Sequence, residues 1–162
     1  MDTRITDRPA FCLVGHAARV PLIQQGVNPH IQAHIASLPE VEQVRLAELA
    51  DTEPAGLLHV SVDVDPDLTE GSDFTYVHGV ALDVASTVPD GFEVIEVPAG
   101  TWAVFRSSGS HPVTWATIMS EWFTSNPWRL RPGPSMVAAT DRESGLATTE
   151  LWIPIEPNAS AP

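Results

Sequence analysis

The sequence has little positive charge, one cysteine and no long hydrophobic run. Lysine is absent: the 8 basic residues are all arginine, against 21 acidic residues and a formal net charge of −13. A surface this acidic repels phosphate backbones, so we expect no direct binding of nucleic acid by this chain. Most of these acids are expected to form a solvated surface that keeps the protein in solution.

The single cysteine and the lack of a long apolar run indicate the cellular compartment, and the chain length indicates the number of domains. Cys12 is the only cysteine, which excludes an internal disulfide and is typical of a reducing compartment. No apolar run approaches the roughly 20 residues that span a bilayer, and no basic-then-apolar leader follows Met1. A cytoplasmic protein without membrane contact is therefore predicted. The 162 residues are enough for one domain, predicted at 9–157 between a flexible start at 1–8 and a tail at 158–162.

Hydrophobic periodicity predicts two similar halves, each a strand, a helical segment and two strands. In the first half, residues 11–21 form a strand, and Asn28 can cap a helix that has proline in its first turn. Pro39 interrupts this helix before a second helical piece. Two alternating strands then follow, at 57–64 and 74–84.

The second half repeats this order of elements. Strands are predicted at 92–97 and 101–107. Thr114 can cap a helix with an apolar stripe at i, i+3, i+4 and i+7; the stripe consists of Trp115, Ile118, Met119 and Trp122. The two tryptophans are expected to pack in the core. Residues 136–140 and 148–155 then form a hairpin across the turn at 141–145.

The last strand carries a carboxylate, Glu150, in the most apolar stretch near the C-terminus. Strand alternation puts Glu150 and Trp152 on one face. The other face carries aliphatic residues that are expected to pack against the helices: Leu151, Ile153 and Ile155. Because a buried carboxylate is costly, Glu150 is expected to lie exposed at a sheet edge, to be paired, or to await a cationic ligand.

Candidate motifs for metal binding and for nucleophilic catalysis are incomplete in this sequence. The acidic segment 63–67 lacks the glycine and the bidentate acid of an EF-hand loop, and His30 and His34 have no third ligand at a recognisable spacing. The segment 108–111 contains serine and histidine without a nucleophile elbow. Cys12 lies in an apolar strand, where thiols are usually inert. No metal and no cofactor are predicted.

Four sequence segments, in this order, resemble the GyrI-like family of small-molecule effector-binding domains. These domains occur alone or fused to AraC-type and MerR-type regulators. The matching segments are Phe74-Thr-Tyr76-Val-His-Gly79-Val, Val97-Pro-Ala-Gly100-Thr-Trp102-Ala-Val-Phe105, Glu121-Trp122-Phe123 running into Arg131-Pro-Gly133-Pro134, and Glu150-Leu-Trp152-Ile-Pro154-Ile155. The resemblance extends from about residue 11 to residue 156.

The resemblance implies an α+β fold of duplicated β-α-β-β (SH2-like) halves with pseudo-twofold symmetry. Antiparallel sheets would form a ligand groove, with the helices packed behind. It also implies a pocket for bulky, hydrophobic and often cationic ligands, in which a glutamate meets the positive charge. The predicted ligand-binding residues are Glu150, Tyr76, Trp102, Trp152, His78 and Phe105.

Two positions depart from the family pattern. Trp102 stands where the family often has tyrosine, and the strand 135–138 lacks a second glutamate that many members carry. The resemblance therefore implies a weaker preference for dications than in those members.

Three functions are compatible with the sequence. The first is a stand-alone binding domain that senses or sequesters hydrophobic, often cationic small molecules and so protects against drugs. The second is a hydrolase that adds water to strained electrophiles such as cyclopropanoid alkylating compounds, with Glu150 and Tyr76 as catalytic residues. The third is an interaction protein that uses its acidic surface on a larger partner, since some relatives bind a topoisomerase subunit.

Overall fold

The computed structural model describes residues 2–23, 28–65, 67–107, 114–140 and 148–158. The serine and histidine segment 108–111, the hairpin turn at 141–145 and the tail from residue 159 onward lie outside the described residues. The strands are β1 (Asp2–Arg8), β2 (Phe11–Pro21), β3 (Leu58–Val62), β4 (Asp73–Asp83), β5 (Glu93–Val97), β6 (Gly100–Ser107), β7 (Trp128–Leu130), β8 (Ser135–Thr140) and β9 (Thr148–Pro157).

Three helical segments complete the described part of the chain. They are α1 (Pro29–Ser37), α2 (Glu40–Leu49) and α3, which consists of α-helical Trp115–Thr117, π-helical Ile118–Trp122 and α-helical Phe123–Ser125. The predicted starts of α1 and α3 are confirmed. The Asn28 side chain accepts hydrogen bonds from the backbone of the first turn of α1, and the Thr114 hydroxyl accepts one from Thr117.

The described strands form one antiparallel sheet in the order β1-β6-β9-β8-β3-β4-β2-β5, with β7 paired to β9. The predicted α+β class is confirmed, although one sheet replaces the plural sheets of the prediction. The central order β6-β9-β8 followed by β3-β4-β2 places corresponding strands of the two halves at mirrored positions. The duplication itself, with its pseudo-twofold, stays a prediction.

The sheet curls strongly around one of its faces. Phe11 in β2 and Trp102 in β6 belong to strands five steps apart, which would separate them by about 24 Å in a flat sheet. Their ring centroids lie only 6.1 Å apart. We call the face on which they meet the inner face. It is filled by a buried cluster of Phe11, Leu13, Leu58, Val60, Val77, Ala81, Val97, Trp102, Val104, Met136, Ala138 and Trp152.

The opposite, outer face is covered by the helices. Ile31 and Ile35 of α1 pack on Val20, Phe74 and Tyr76. Leu46 of α2 packs on another cluster from β2 and β4. The third cluster joins α3 to the last strand through Phe105, Ile118, Ile153, Ile155, Leu151, Trp115 and Trp122. The predicted helix-facing side of β9 and the core packing of both helical tryptophans are thus confirmed.

The N-terminal prediction is wrong. Residues 2–8 were expected to be flexible, but they form β1, an edge strand whose seven residues all pair with β6. The pattern Asp-Thr-Arg-Ile-Thr-Asp-Arg contains one aliphatic residue, so it lacks the alternation that would signal a strand. Pairing with β6, a strand distant in the sequence, orders this segment, and the local sequence pattern does not indicate such a pairing. The short strand β7 was missed for the same reason.

Within the described residues, no helix has both the length and the apolar character needed to cross a membrane.

A close approach of β2 and β4 generates a first prediction. Gly15 and Gly79 are cross-strand partners on the inner face. A Cβ added to Gly15 would lie 2.6 Å from the Cα of Gly79 and would also overlap the carbonyl of His78. Because these are backbone atoms, we expect Gly15→Ala to lower the free energy of unfolding by about 2 kcal/mol or more, as measured by urea denaturation.

Gly71→Ala is the control for this prediction. Gly71 has a φ of +82° but open space around its Cα, so only the left-handed backbone penalty of about 1 kcal/mol is expected. A loss for Gly15→Ala no greater than that for Gly71→Ala would contradict the proposed tight strand contact.

Candidate functional site

Glu150 is the one buried acid among the described residues, and its carboxylate is paired. It lies on the inner face of β9, where its side chain is only 7% exposed. Oε2 accepts hydrogen bonds from Arg4 Nη1 at 2.7 Å and from Arg106 Nη2 at 3.3 Å. Of the three possibilities open from the sequence, pairing is therefore the observed one, and an exposed edge position is excluded.

The two arginines reach Glu150 from different strands. Arg106 in β6 is its direct cross-strand neighbour. Arg4 comes from β1, one strand further away, and lies in register with Val104, which in turn lies in register with Trp152. Its side chain crosses Val104, so that the guanidinium carbon lies 5.3 Å from the centre of the Trp152 ring. Arg4 thus makes an ion pair and a cation–π contact at the same time.

These contacts fix the charge state of the acid. Burial raises the pKa of Glu150, but the hydrogen bond and charge of Arg4 and the hydrogen bond of Arg106 outweigh it and hold the pKa below its usual value. The indole N–H of Trp152 also favours the charged form from nearby, although its geometry falls short of a hydrogen bond. The site therefore presents an ionised carboxylate at neutral pH.

Beside the carboxylate, the inner face is aromatic. The Trp102 and Trp152 rings meet edge to face with centroids 6.3 Å apart, and Phe11 adjoins Trp102. Both indole N–H groups are buried and have no hydrogen-bond partner among the described residues. A second guanidinium, that of Arg131, lies 5.3 Å from the centre of the Trp102 ring and donates to the backbone carbonyls of β6 and β9. Each inner tryptophan therefore faces one arginine.

The structure divides the six predicted ligand-binding residues between the two faces of the sheet. Glu150, Trp102 and Trp152 lie together on the inner face. Tyr76, His78 and Phe105 instead lie on the outer face, under the helices: Tyr76 belongs to the cluster at α1, and Phe105 to the cluster at α3. The structure therefore does not bring all six side chains to one face, and their roles in ligand binding stay predictions. Strand parity already separates two of them, since Trp102 and Phe105 are three residues apart in one strand.

On the outer face, the buried side chains of Tyr76 and His78 form a cluster with histidines that are more exposed. His16, His78 and His59 are aligned across β2, β4 and β3. Tyr76 Oη lies 2.6 Å from His59 Nδ1 and 3.5 Å from His78 Nδ1, and the ring of His34 from α1 meets Tyr76 edge-on. Burial raises the pKa of Tyr76, so its hydroxyl stays protonated. No described group of His, Cys, Asp and Glu side chains has the arrangement needed to hold a metal ion.

Sequence reasoning missed four residues that shape the inner face: Arg4, Arg106, Phe11 and Arg131. Arg106 and Trp102 are an even number of residues apart in one strand, so strand alternation already predicts that both side chains lie on the same face. No local pattern places Arg4 or Phe11, because their contacts depend on the pairing of β1 and on the curl of the sheet.

Comparison with known proteins agrees with this architecture. A family model of the GyrI-like small molecule binding domain matches residues 1–156. The chain belongs to this GyrI-like family. Comparison with curated protein sequences gives no significant match.

Solved structures of GyrI-like relatives share the fold at low sequence identity. SAV2435 bound to tetraphenylphosphonium aligns with a TM-score of 0.64 and 20% identity, covering 96% of this chain and 94% of that one. A putative bacterial transcription regulation protein from Staphylococcus aureus MU50 gives 0.61 and 20%, with 96% and 99% covered. The C-terminal domain of EcmrR gives 0.61 and 16%, with 96% and 98% covered.

The geometry does not support the joint role that the alternative hydrolase function gave to Glu150 and Tyr76. That mechanism assigned Glu150 and Tyr76 to one substrate, but the two residues project from opposite faces of the sheet. The ionised carboxylate is also held by two arginines, which leaves it a poor proton donor. The hydrolase activity and the interaction with a larger partner both stay predictions.

The outer-face cluster generates a prediction about pH. Burial, followed by the charges of His59, His34 and His16, lowers the pKa of His78 to about 4. Since an unfolded histidine titrates near pH 6.5, the unfolded state binds more protons between these values. The folded state should therefore lose on the order of 2–3 kcal/mol as pH falls from about 6.5 to 4.

Urea denaturation at several pH values measures this slope. His78→Gln should flatten it, whereas the same substitution at the exposed His30 should leave it unchanged. Equal slopes in the wild type and His78→Gln would show that His78 does not carry the pH dependence.

Proposed function

We propose that this GyrI-like domain captures bulky hydrophobic small molecules that carry a positive charge, at the inner face beside Glu150. The observation that carries the proposal is a buried, ionised carboxylate next to two tryptophans in edge-to-face contact. Sensing, sequestration and protection against drugs all require such capture.

The guanidinium groups that this site already holds support a preference for cations. Glu150 and Trp152 together hold one guanidinium, and Trp102 holds another. Faces of tryptophan rings attract cations with about 0.5–2 kcal/mol, depending on desolvation. A carboxylate adds direction to this otherwise non-directional attraction. The tetraphenylphosphonium of the SAV2435 structure is a ligand of the same chemical class.

Charge at Glu150 should decide affinity. We expect Glu150→Gln to weaken the binding of a planar aromatic monocation about 5- to 20-fold, because a neutral amide cannot balance the ligand charge. Tyr76→Phe removes a polar atom from the outer face and should leave the affinity within about twofold. Quenching of tryptophan fluorescence and isothermal titration calorimetry measure both values.

Circular dichroism of each variant controls for loss of folding. Equal affinity of the wild type and Glu150→Gln would mean that the carboxylate is not the partner of the cation.

Binding should also be insensitive to mild acid. Because the pKa of Glu150 is held below its usual value, the carboxylate stays ionised from pH 8 down to pH 5, and the affinity should be level over this range. It should fall only when pH drops below the ordinary carboxyl range near about 4.3. Calorimetric titrations at pH 5, 6, 7 and 8 measure this profile. A steady loss of affinity between pH 8 and 6 would contradict the role of Glu150 as the binding charge.

A further inference from the structure

We propose that Arg4 is an internal occupant of the cation site, which a ligand must displace, and that the site accordingly selects planar delocalised cations bearing N–H donors. This inference rests on the proposed function and specifies its ligand class. It follows from what one guanidinium contacts in the protein itself.

Arg4 makes the two contacts that a cationic aromatic ligand would make. Its Nη1 donates to Glu150 Oε2 at 2.7 Å, and its guanidinium carbon lies 5.3 Å from the Trp152 ring centre. A guanidinium is planar, weakly hydrated and rich in N–H donors, which suits it to a carboxylate beside an aromatic face. A ligand with a flat amidinium or guanidinium head would reproduce both contacts.

Displacement of Arg4 is feasible because its side chain is largely in water. It is 47% exposed, whereas the Glu150 side chain is 7% exposed. The arginine can therefore swing into solvent at little desolvation cost, while the carboxylate stays fixed in the inner face. Arg106 keeps a longer contact with the same oxygen, 3.3 Å, so the acid retains one partner during the exchange.

The chain offers a matched control for the charge of Arg4. Arg129 is 50% exposed and pairs with Glu156 at 2.9 Å, a contact of the same kind on a different part of β9. Arg4→Gln and Arg129→Gln change the net charge equally, so only the position of the removed charge differs. Arg4→Lys keeps the charge and loses the planar group.

The test is calorimetric titration at pH 7 with a naphthylguanidinium monocation and, separately, with tetraphenylphosphonium. Arg4→Gln should bind naphthylguanidinium about 3- to 10-fold more tightly than the wild type, because no internal cation competes. The gain should be similar for tetraphenylphosphonium, because either ligand displaces the same arginine. Its affinity should be lower than that of naphthylguanidinium in each variant, because it has no N–H donor to replace the 2.7 Å contact. Arg129→Gln should stay within about twofold of the wild type, and Arg4→Lys should fall between the wild type and Arg4→Gln.

The outcomes separate this inference from the proposed function. Arg4→Gln that binds naphthylguanidinium no more tightly than the wild type overturns the inference and leaves the proposed function intact. An equal gain in Arg129→Gln overturns it as well, since net charge would then explain the effect. Failure of the wild type and all variants to bind either probe, with native circular dichroism, overturns both. Arg4→Met, which keeps the apolar stem, replaces Arg4→Gln if the latter unfolds.

Discussion

A carboxylate buried in an apolar surface requires positive partners, and Glu150 obtains both of its partners from strands on one side of β9. Arg106 is supplied by the adjacent strand, and Arg4 by the edge strand beyond it. Pairing of β1, β6 and β9 is therefore coupled to charge neutralisation at the inner face: a register slip of one residue would turn Arg4 to the other face. The ion pairs of Glu150 therefore favour the observed alignment of β1, β6 and β9.

The curl of the sheet gives that chemistry its surroundings. Because Phe11 reaches Trp102 across five strand steps, the inner face closes over its own aromatic residues, and the helices remain on the outer face. The polar residues divide accordingly. The inner face holds permanent charge in Glu150 and its arginines, whereas the outer face holds Tyr76 and His78, whose pKa values burial shifts so that both stay neutral at neutral pH. One sheet thus carries a charged cluster on its inner face and a histidine and tyrosine cluster on its outer face.

The sequence correctly predicted the features that depend on interactions between residues close together in the chain. The Asn28 cap, the break at Pro39 and the helix-facing side of β9 follow from backbone sterics and alternation. The site was predicted only in part, because alternation assigns residues to two faces without saying which face is inner. The resemblance to the family grouped Tyr76 and His78 with Glu150, although they lie on the opposite face of the sheet. The position of Arg4 beside Glu150 could not be predicted for a different reason. The polar N-terminal segment does not indicate which strand it pairs with.

The pairing of Arg4 with Glu150 joins residues 146 positions apart in the chain. Contacts of such high sequence separation form late in folding, because loop closure must come first. On the ribosome, where synthesis proceeds from the N-terminus, β1 emerges first but has no partner until β6 is made, and Arg4 has no acid until β9 is made. The N-terminal half of the chain can form β2, β3 and β4 and pack them with α1 and α2 before β1 has a partner strand. Glu150 and its two arginines can consequently come together only after β9 has been synthesised.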